Sequence, residues 1–192
     1  MTEMDETTLV RQVQNGNRAA FNELASRWQA KIHRFAYRFF ADSDDASEIT
    51  QKTLIKVYQK LDTLDNPGNF SAWIYRVANN LCLDELKRAG RRKSSPLEAW
   101  VEQAEKAGTV SPSETLEAKE LGNIIHKALL TLPDEQRVVV ILKEYEGLKF
   151  REIAEILEEP ENTVKSRLYY GLKSLRRVLT KWNIPKQYLN YE

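Results

Sequence analysis

The amino-acid sequence predicts an all-α protein made of two small helical domains joined by a flexible linker, with a helix-turn-helix in the second domain. Three observations predict this architecture. In almost every periodic segment, apolar residues recur at the i, i+3, i+4 spacing of an amphipathic helix. No stretch sustains the alternation and β-branched enrichment typical of a strand. From residue 91 to about residue 110 the apolar periodicity weakens and Ser, Pro and Gly interrupt it, which indicates a linker.

The predicted amino-terminal domain, residues 1–92, contains four helices. The first starts near Thr7 and stops at Asn15-Gly16-Asn17. Ser43 or Asp44 can cap the third helix, because both side chains accept hydrogen bonds from free backbone amides. The second and third helices each carry one stripe that we expect to be buried: Phe21, Leu24, Trp28, Ile32, Phe35 and Phe39, and then Ala46, Ile49, Thr53, Val57 and Leu61.

The fourth helix follows a strong turn signal at Asp65–Asn69 and is predicted from about Ser71 to Ala89, with Gly90 ending it. On a helical wheel its core face consists of Ile74, Val77, Ala78 and Leu81, and its opposite face of Trp73, Arg76, Asn80, Leu83 and Lys87. That opposite face suits a single-stranded nucleic acid, because rings stack on bases, amides read base edges and cations hold phosphates. The structural alternative is that the tryptophan is a core residue and the arginine pairs with a nearby carboxylate.

The predicted linker, residues 93–112, can hold a short helix around Leu97–Ala107. Regular helix restarts at Ser111-Pro112-Ser113-Glu114, which offers a serine N-cap, a proline at the first helical position and a glutamate for a capping box. The second domain is predicted over residues 113–182 and a short tail over residues 183–192.

Two helices near the carboxyl terminus, Phe150–Leu157 and Asn162–Leu179, are separated by the short turn of a helix-turn-helix. We expect one buried set, formed by Ile153, Ala154, Leu157, Val164, Leu168, Leu172 and Leu175. The second helix then exposes polar and aromatic residues near its amino terminus, which can reach base edges and phosphates in a major groove. The alternative is an ordinary antiparallel helical hairpin with a polar face.

The net charge of the chain alone does not indicate a nucleic-acid binder. The 192 residues carry 29 Lys and Arg against 28 Asp and Glu, so the total charge is nearly neutral. The charges are nevertheless segregated into a basic cluster at residues 87–93, an acidic stretch at 98–120 and basic residues at 165–181. This pattern can hide two nucleic-acid surfaces behind a neutral total, although each cluster could simply solvate a helix face.

The single cysteine, Cys82, excludes an internal disulfide, and we expect it to be a buried helix residue rather than a redox sensor. His33 and His126 are far apart in the chain, so we expect no metal site, and no motif calls for a cofactor. The polar, acidic amino terminus is unlike a signal peptide, and no apolar run approaches the ~18 residues of a membrane span, so we expect a cytoplasmic protein.

Several motifs occur in an order and spacing that resemble the extracytoplasmic-function (ECF) sigma factors of bacterial RNA polymerase. Phe70–Leu81, continuing to Asp84, resembles their region 2.3–2.4, and Asp45–Gln51 through Val57-Tyr58 resembles region 2.2. Region 4 is resembled by Leu132-Pro133 through Val138, Gly147-Leu148, Glu152-Ile153-Ala154 and Thr163–Leu168. The resemblance covers nearly the whole chain apart from the linker and tail.

The resemblance implies a division of labour between the domains. The polar face of the third helix would dock on the clamp of the largest catalytic subunit of core RNA polymerase, through Asp45, Glu48, Gln51, Lys52 and Lys56. The loop Asp62–Asn69 and the fourth helix would capture the melted −10 strand, with a base extruded into a loop pocket, through Leu64, Trp73, Arg76, Asn80 and Lys87.

The second domain would read the duplex −35 element through Thr163, Lys165, Ser166, Arg167, Tyr169, Tyr170 and Lys173. The family commonly carries arginines where this chain has Tyr170 and Leu172, so no family consensus transfers to the −35 element. We expect Tyr169 and Tyr170 to contact DNA sugars or thymine methyls. The resemblance also implies an anti-sigma protein that can hold the chain at the inner face of the membrane, and no small-molecule substrate.

Two rival functions remain at this point. A helix-turn-helix transcription regulator that forms no holoenzyme would explain the second domain but leave two faces of the first without a use. An enzyme has little support, because Asp44-Asp45 and Glu158-Glu159 lack the ligand spacing or cleft signals of a metal or general-acid site.

Overall fold

A computed structural model of the chain describes residues 4–92 and 118–184. Its amino-terminal domain contains helices α1 (Glu6–Gln14), α2 (Arg18–Phe40), α3 (Ser43–Lys60) and α4 (Phe70–Arg92). Two short 3-10 turns, Leu61–Thr63 and Pro67–Asn69, shape the segment between α3 and α4. No helix within the described ranges combines the length and the apolar character that a membrane crossing requires.

The core of this domain lies where α2, α3 and α4 meet. The two predicted stripes are buried there, apart from Phe21, which is only partly buried. The Trp28 ring meets Phe70 and Tyr75 edge-on, with centroids 5.6 and 5.4 Å apart, an arrangement that aromatic quadrupoles favour. Gln14 donates its side-chain amide to the carbonyls of Leu61 and Leu64, at 3.0 and 2.9 Å, and so ties α1 to the loop before α4.

Two expected helix boundaries in this domain are wrong. The N-cap of α3 is Asp42 rather than Ser43 or Asp44, and its carboxylate accepts from the amides of Asp44 and Asp45 at 2.8 and 2.9 Å. Three consecutive residues offered a capping oxygen, and the one that precedes the helix takes the role. Helix α4 also continues through Gly90 to Arg92. An internal glycine costs a helix only about 1 kcal/mol, which the flanking alanine and arginines can offset.

The carboxyl-terminal domain contains α5 (Ala118–Leu130), α6 (Asp134–Val140), α7 (Phe150–Leu157) and α8 (Glu161–Lys181). The end of α6 widens into a π-helical segment, Ile141–Tyr145. Gly147 follows with a φ of 67°, a backbone conformation that glycine adopts readily and that does not continue the helix. The predicted linker, the restart motif at residues 111–114 and most of the predicted tail lie outside the described residues.

The helix-turn-helix set that we expected to be buried departs from that expectation most at Leu172 of α8, and Ala154, Leu157 and Leu175 are only partly buried. Val164 and Leu168 are buried against α7, but Leu172 is 38% exposed, so the expectation that it is buried is wrong. Gly171 takes the inward position instead, and a Cβ there would lie 3.0 Å from Val140 Cγ2. The missing side chain lets α8 approach α6 closely, and Leu172, one residue further round the helix, faces outward.

Arg137 is a buried cation at the centre of this domain. It is 5% exposed, and its guanidinium donates to the carbonyls of Leu129, Leu130 and Leu132 at 3.0 to 3.2 Å. It also pairs with Asp134 at 3.2 Å. The first two of those carbonyls belong to the last turn of α5, where helical partners are missing, so Arg137 caps that helix.

The two domains pack against each other, a placement that the sequence left open. Helix α4 contacts α7, and α2 contacts α5. Tyr75 Oη donates to Glu146 at 2.6 Å, and Arg38 Nη1 lies 3.4 Å from the same carboxylate. Arg137 Nη1 reaches across to the carbonyl of Phe39 at 3.1 Å.

Candidate nucleic-acid interface

The polar face of α3 brings together the residues that we expected to bind a protein partner. Asp45, Glu48, Gln51 and Lys56 are exposed, and Lys52 is partly buried. Lys52 bridges Glu48 at 2.5 Å and Glu85 of α4 at 3.4 Å. Burial raises the pKa of the Asp45 carboxyl, and the nearby carboxylates of Asp42 and Glu85 raise it further. Negative charges therefore repel one another around Asp45, whereas Lys52 and Lys56 supply positive charge further along the face.

Sequence reasoning missed two apolar residues on the same helix. Ile55 is 50% exposed and Tyr58 is 52% exposed, although both are large and apolar. Tyr58 meets Phe21 of α2 edge-on, with centroids 4.8 Å apart. Their helical spacing from Glu48 and Gln51 could have placed them on this face, but an apolar residue on a wheel is ordinarily assigned to the core.

The predicted strand-binding face of α4 varies in exposure along its length. Asn80 and Lys87 are exposed, whereas Trp73 and Leu83 are partly buried. The Trp73 ring tilts against Phe70, with centroids 6.1 Å apart, so part of it packs on the core and part remains accessible. The core face also holds Tyr75 and Asn79, which sequence reasoning did not assign to it. The expected burial of Cys82 is confirmed, whereas Leu81 is only partly buried.

A cavity of about 380 Å³ adjoins this face where the loop before α4 meets α7. Its walls are Leu64, Asn69, Ala72, Trp73, Arg76, Glu155 and Glu158. Three residues predicted for the −10 strand, Leu64, Trp73 and Arg76, therefore meet around one space, although they come from two segments of the chain. Gln14 holds the carbonyl of Leu64, which fixes the loop side of the cavity.

Arg76 is engaged by the carboxyl-terminal domain. Its Nη1 donates to Glu158 Oε1 at 2.9 Å, and its Nη2 donates to the carbonyl of Glu155. Its Nε is buried and has no hydrogen-bond partner among the described residues. The alternative that this arginine pairs with a carboxylate is therefore correct, and the carboxylate is that of Glu158 in the other domain. We call this packed arrangement of the two domains the closed arrangement.

The polar face of α8 presents the residues predicted for duplex DNA. Lys165, Ser166, Tyr169, Tyr170 and Lys173 are exposed, and Thr163 is partly buried. The two tyrosine rings are 63% and 56% exposed and meet edge-on at 5.3 Å. Lysine and hydroxyl groups beside exposed rings can contact phosphates and the groove edges of bases.

Arg167 stands apart from that set. Its Nη2 lies 3.1 Å from both Glu135 of α6 and Glu159 of the turn, and its side chain is only 20% exposed. Lys165 pairs with Glu161 at 2.7 Å but keeps about half its side chain exposed. Arg167 thus fastens α8 to α6 and to the turn that precedes α8.

Both parts of the chain match known families. Residues 24–92 match the model of Sigma-70 region 2, and residues 122–175 match that of Sigma-70 region 4. The chain is 34% identical to the ECF RNA polymerase sigma factor SigW of Bacillus subtilis, over 88% of this chain and 94% of the relative. It is 33% identical to the ECF RNA polymerase sigma-E factor of Escherichia coli, over 90% and 93% respectively.

Solved structures share the fold. CnrH in complex with the cytosolic domain of CnrY superposes with a TM-score of 0.68 at 21% identity, covering 91% of this chain and 97% of that one. The sigma factor RpoE in complex with the anti-sigma factor NepR from Bartonella quintana gives 0.63 at 21% identity, covering 83% and 96%.

Proposed function

This chain belongs to the extracytoplasmic-function family of RNA polymerase sigma factors, and from that premise we propose which of its surfaces carries each step of transcription initiation. It is a non-enzymatic initiation factor that binds core RNA polymerase and recognises promoter DNA, so bond making belongs to the polymerase. The observation that carries the residue assignment is the cavity where Leu64, Trp73 and Arg76 meet. A regulator that forms no holoenzyme is set aside by the family membership.

We assign the α4 face to the melted −10 strand. An extruded base would enter the cavity beside Trp73, while Arg76 and Lys87 hold phosphates and Asn80 pairs with a base edge. Opening the duplex costs a few kcal/mol per unstacked step, and stacking of about 1–3 kcal/mol per base together with charged hydrogen bonds offsets it.

Arg76→Ala in the reconstituted holoenzyme tests this assignment. Loss of a charged hydrogen bond of about 1.5–3 kcal/mol predicts a ten- to hundredfold drop in run-off transcripts and in permanganate reactivity of the −10 region. Arg18→Ala is the matched control, because Arg18 is an exposed arginine on α2 of the same domain. Equal transcription from both variants would exclude Arg76 from strand capture.

We assign the exposed face of α3 to the polymerase clamp. Asp45, Glu48, Lys52 and Lys56 supply charge, Gln51 supplies an amide, and Ile55 adds an exposed apolar side chain one turn after Gln51. Apolar anchors ringed by polar groups are the usual energetic centre of a protein interface. Ile55→Ala and Glu48→Lys should each weaken co-elution with core polymerase, whereas Arg18→Ala should not.

We assign the exposed face of α8 to the −35 duplex, through Thr163, Lys165, Ser166, Tyr169, Tyr170 and Lys173. Arg167 contributes only if it leaves Glu135 and Glu159 on binding. If the tyrosines contact sugars or thymine methyls, Tyr169→Ala/Tyr170→Ala should weaken the −35 footprint of the holoenzyme while sparing the −10 footprint. An unchanged −35 footprint would contradict that assignment.

We further propose that the chain acts in the cytoplasm and is held inactive there by an anti-sigma protein, which can anchor it at the inner face of the membrane. A sigma factor of the same fold, RpoE from Bartonella quintana, was solved with the anti-sigma factor NepR, and CnrH, which also shares the fold, was solved with the cytosolic domain of CnrY. Purification of the tagged chain from whole cells, followed by mass spectrometry of the bound proteins, tests this: a protein with a membrane-spanning segment should co-purify, and recovery of core polymerase alone would contradict the membrane anchor.

A further inference from the structure

The carboxyl-terminal end of α7 occupies the surface that we assign to the −10 strand. Arg76 donates to the Glu158 carboxylate and to the Glu155 carbonyl. That carbonyl belongs to the last turn of α7, which carries the negative end of the helix dipole and lacks helical partners. The guanidinium of Arg76 thus caps a helix of the other domain, and it does so with the N–H groups that we expect to donate to phosphates when the strand is bound.

The same two glutamates also form a wall of the adjoining cavity. A strand that entered this space would bring its phosphates close to both side chains, where like charges repel. Occupation of Arg76 and repulsion from the cavity wall act in the same direction, because each disfavours binding of a single strand.

Contacts away from Arg76 hold the domains in this arrangement. Glu146 accepts from Tyr75 and lies beside Arg38, and its side chain is only 9% exposed. Arg137 donates to the carbonyl of Phe39. The duplex-facing residues of α8, by contrast, remain exposed, so closure covers one DNA surface and leaves the other open.

We propose that α7 is an intramolecular inhibitor of −10 strand binding: in the free chain Glu155 and Glu158 occupy Arg76 and the cavity, and the strand binds only after the domains separate. The proposal rests on the assignment of the α4 face to the −10 strand. The affinity of the free chain for the strand is then the affinity of the open form multiplied by the fraction that is open.

Glu158→Gln in the full-length free chain tests the proposal. The probe is a fluorescein-labelled single strand that carries the −10 element of a promoter from which the holoenzyme initiates. Loss of an exposed ion pair of about 0.5–1 kcal/mol predicts two- to fivefold tighter binding. Glu144→Gln is the matched control, because Glu144 is exposed on the same domain and the substitution removes the same charge. A labelled −35 duplex should bind all variants equally.

Glu146→Ala/Glu158→Gln provides a second measurement, since it also removes the buried anchor of the interface. Its small-angle scattering should show a larger radius of gyration than the wild type, and it should bind the strand more tightly than Glu158→Gln. If both variants bind the strand like the wild type while Arg76→Ala still impairs the holoenzyme, inhibition by α7 is refuted and the −10 assignment survives. If Arg76→Ala leaves the holoenzyme intact, both fall.

Discussion

Replacing Arg137 by alanine should destabilise the carboxyl-terminal domain by several kcal/mol. The substitution removes donors to four backbone carbonyls at 3.0 to 3.2 Å: Leu129, Leu130 and Leu132 of its own domain, and Phe39 of the other. A buried acceptor left unpaired costs about 1–3 kcal/mol, and water can reach the Leu130 carbonyl. The two buried carbonyls of the same domain, those of Leu129 and Leu132, therefore predict a loss of about 2–6 kcal/mol.

Two further variants separate this explanation from a simple loss of charge. Arg137→Lys keeps the positive charge, but a single ammonium group cannot donate to all the carbonyls that the planar guanidinium reaches. We therefore expect it to lower the unfolding free energy by about half as much as Arg137→Ala does. Asp134→Ala removes the carboxylate partner of a buried arginine but leaves all four carbonyl partners in place, so it should cost about 1–2 kcal/mol, less than Arg137→Ala. Urea unfolding followed by circular dichroism measures all three. An Arg137→Ala variant whose unfolding free energy lies within about 1 kcal/mol of that of the wild type would refute the capping role of Arg137.

Three other outcomes follow from burial and backbone geometry. Burial raises the pKa of the Cys82 thiol, so iodoacetamide should leave Cys82 unmodified in the native protein at neutral pH and alkylate it after denaturation. Burial and the nearby Arg38 lower the pKa of His126; the unfolded chain therefore binds more protons as pH falls below about 6.5, stability should decline over that window, and His126→Asn should flatten the decline in urea midpoints. Gly122 has open space beside it within α5, so Gly122→Ala should raise the unfolding free energy by about 0.5–1 kcal/mol, whereas Gly171→Val should lower it by about 1–3 kcal/mol.

The helices could be predicted from the sequence because the apolar pattern of each one lies within a single stretch of the chain. The stripe that begins at Ala46 is buried along α3 because a 3.6-residue period leaves one solution for a helix on a core. Boundaries were less secure, since Asp42, Ser43 and Asp44 all offer a capping oxygen. The outward turn of Leu172 depends on how closely α8 approaches α6, which no residue of α8 alone specifies.

The candidate site divides in the same way. The face of α4 that carries Trp73 and Arg76 could be predicted, because one helix determines it. Its occupation could not, because Glu158 lies 82 residues from Arg76 and reaches it only after two domains pack. The buried Arg137 was equally hidden, since its partners are backbone carbonyls, which every residue type offers.

The closed interface is built so that the domains can separate without stranding a charge. The ion pair of Arg76 and Glu158 has side chains that are 35% and 71% exposed, so water replaces it at little cost. Glu146 contacts Tyr75 and Arg38 of the other domain, so we expect separation to expose its carboxylate and the Arg38 guanidinium to solvent together, where water can replace the ion pair. Closure itself leaves Arg38 Nε and Arg76 Nε without hydrogen-bond partners among the described residues, which weakens the closed form. The ion pairs between the domains therefore contribute little free energy to the closed arrangement. A partner that binds the separated domains only slightly more tightly than the packed ones is sufficient to shift the equilibrium toward separation.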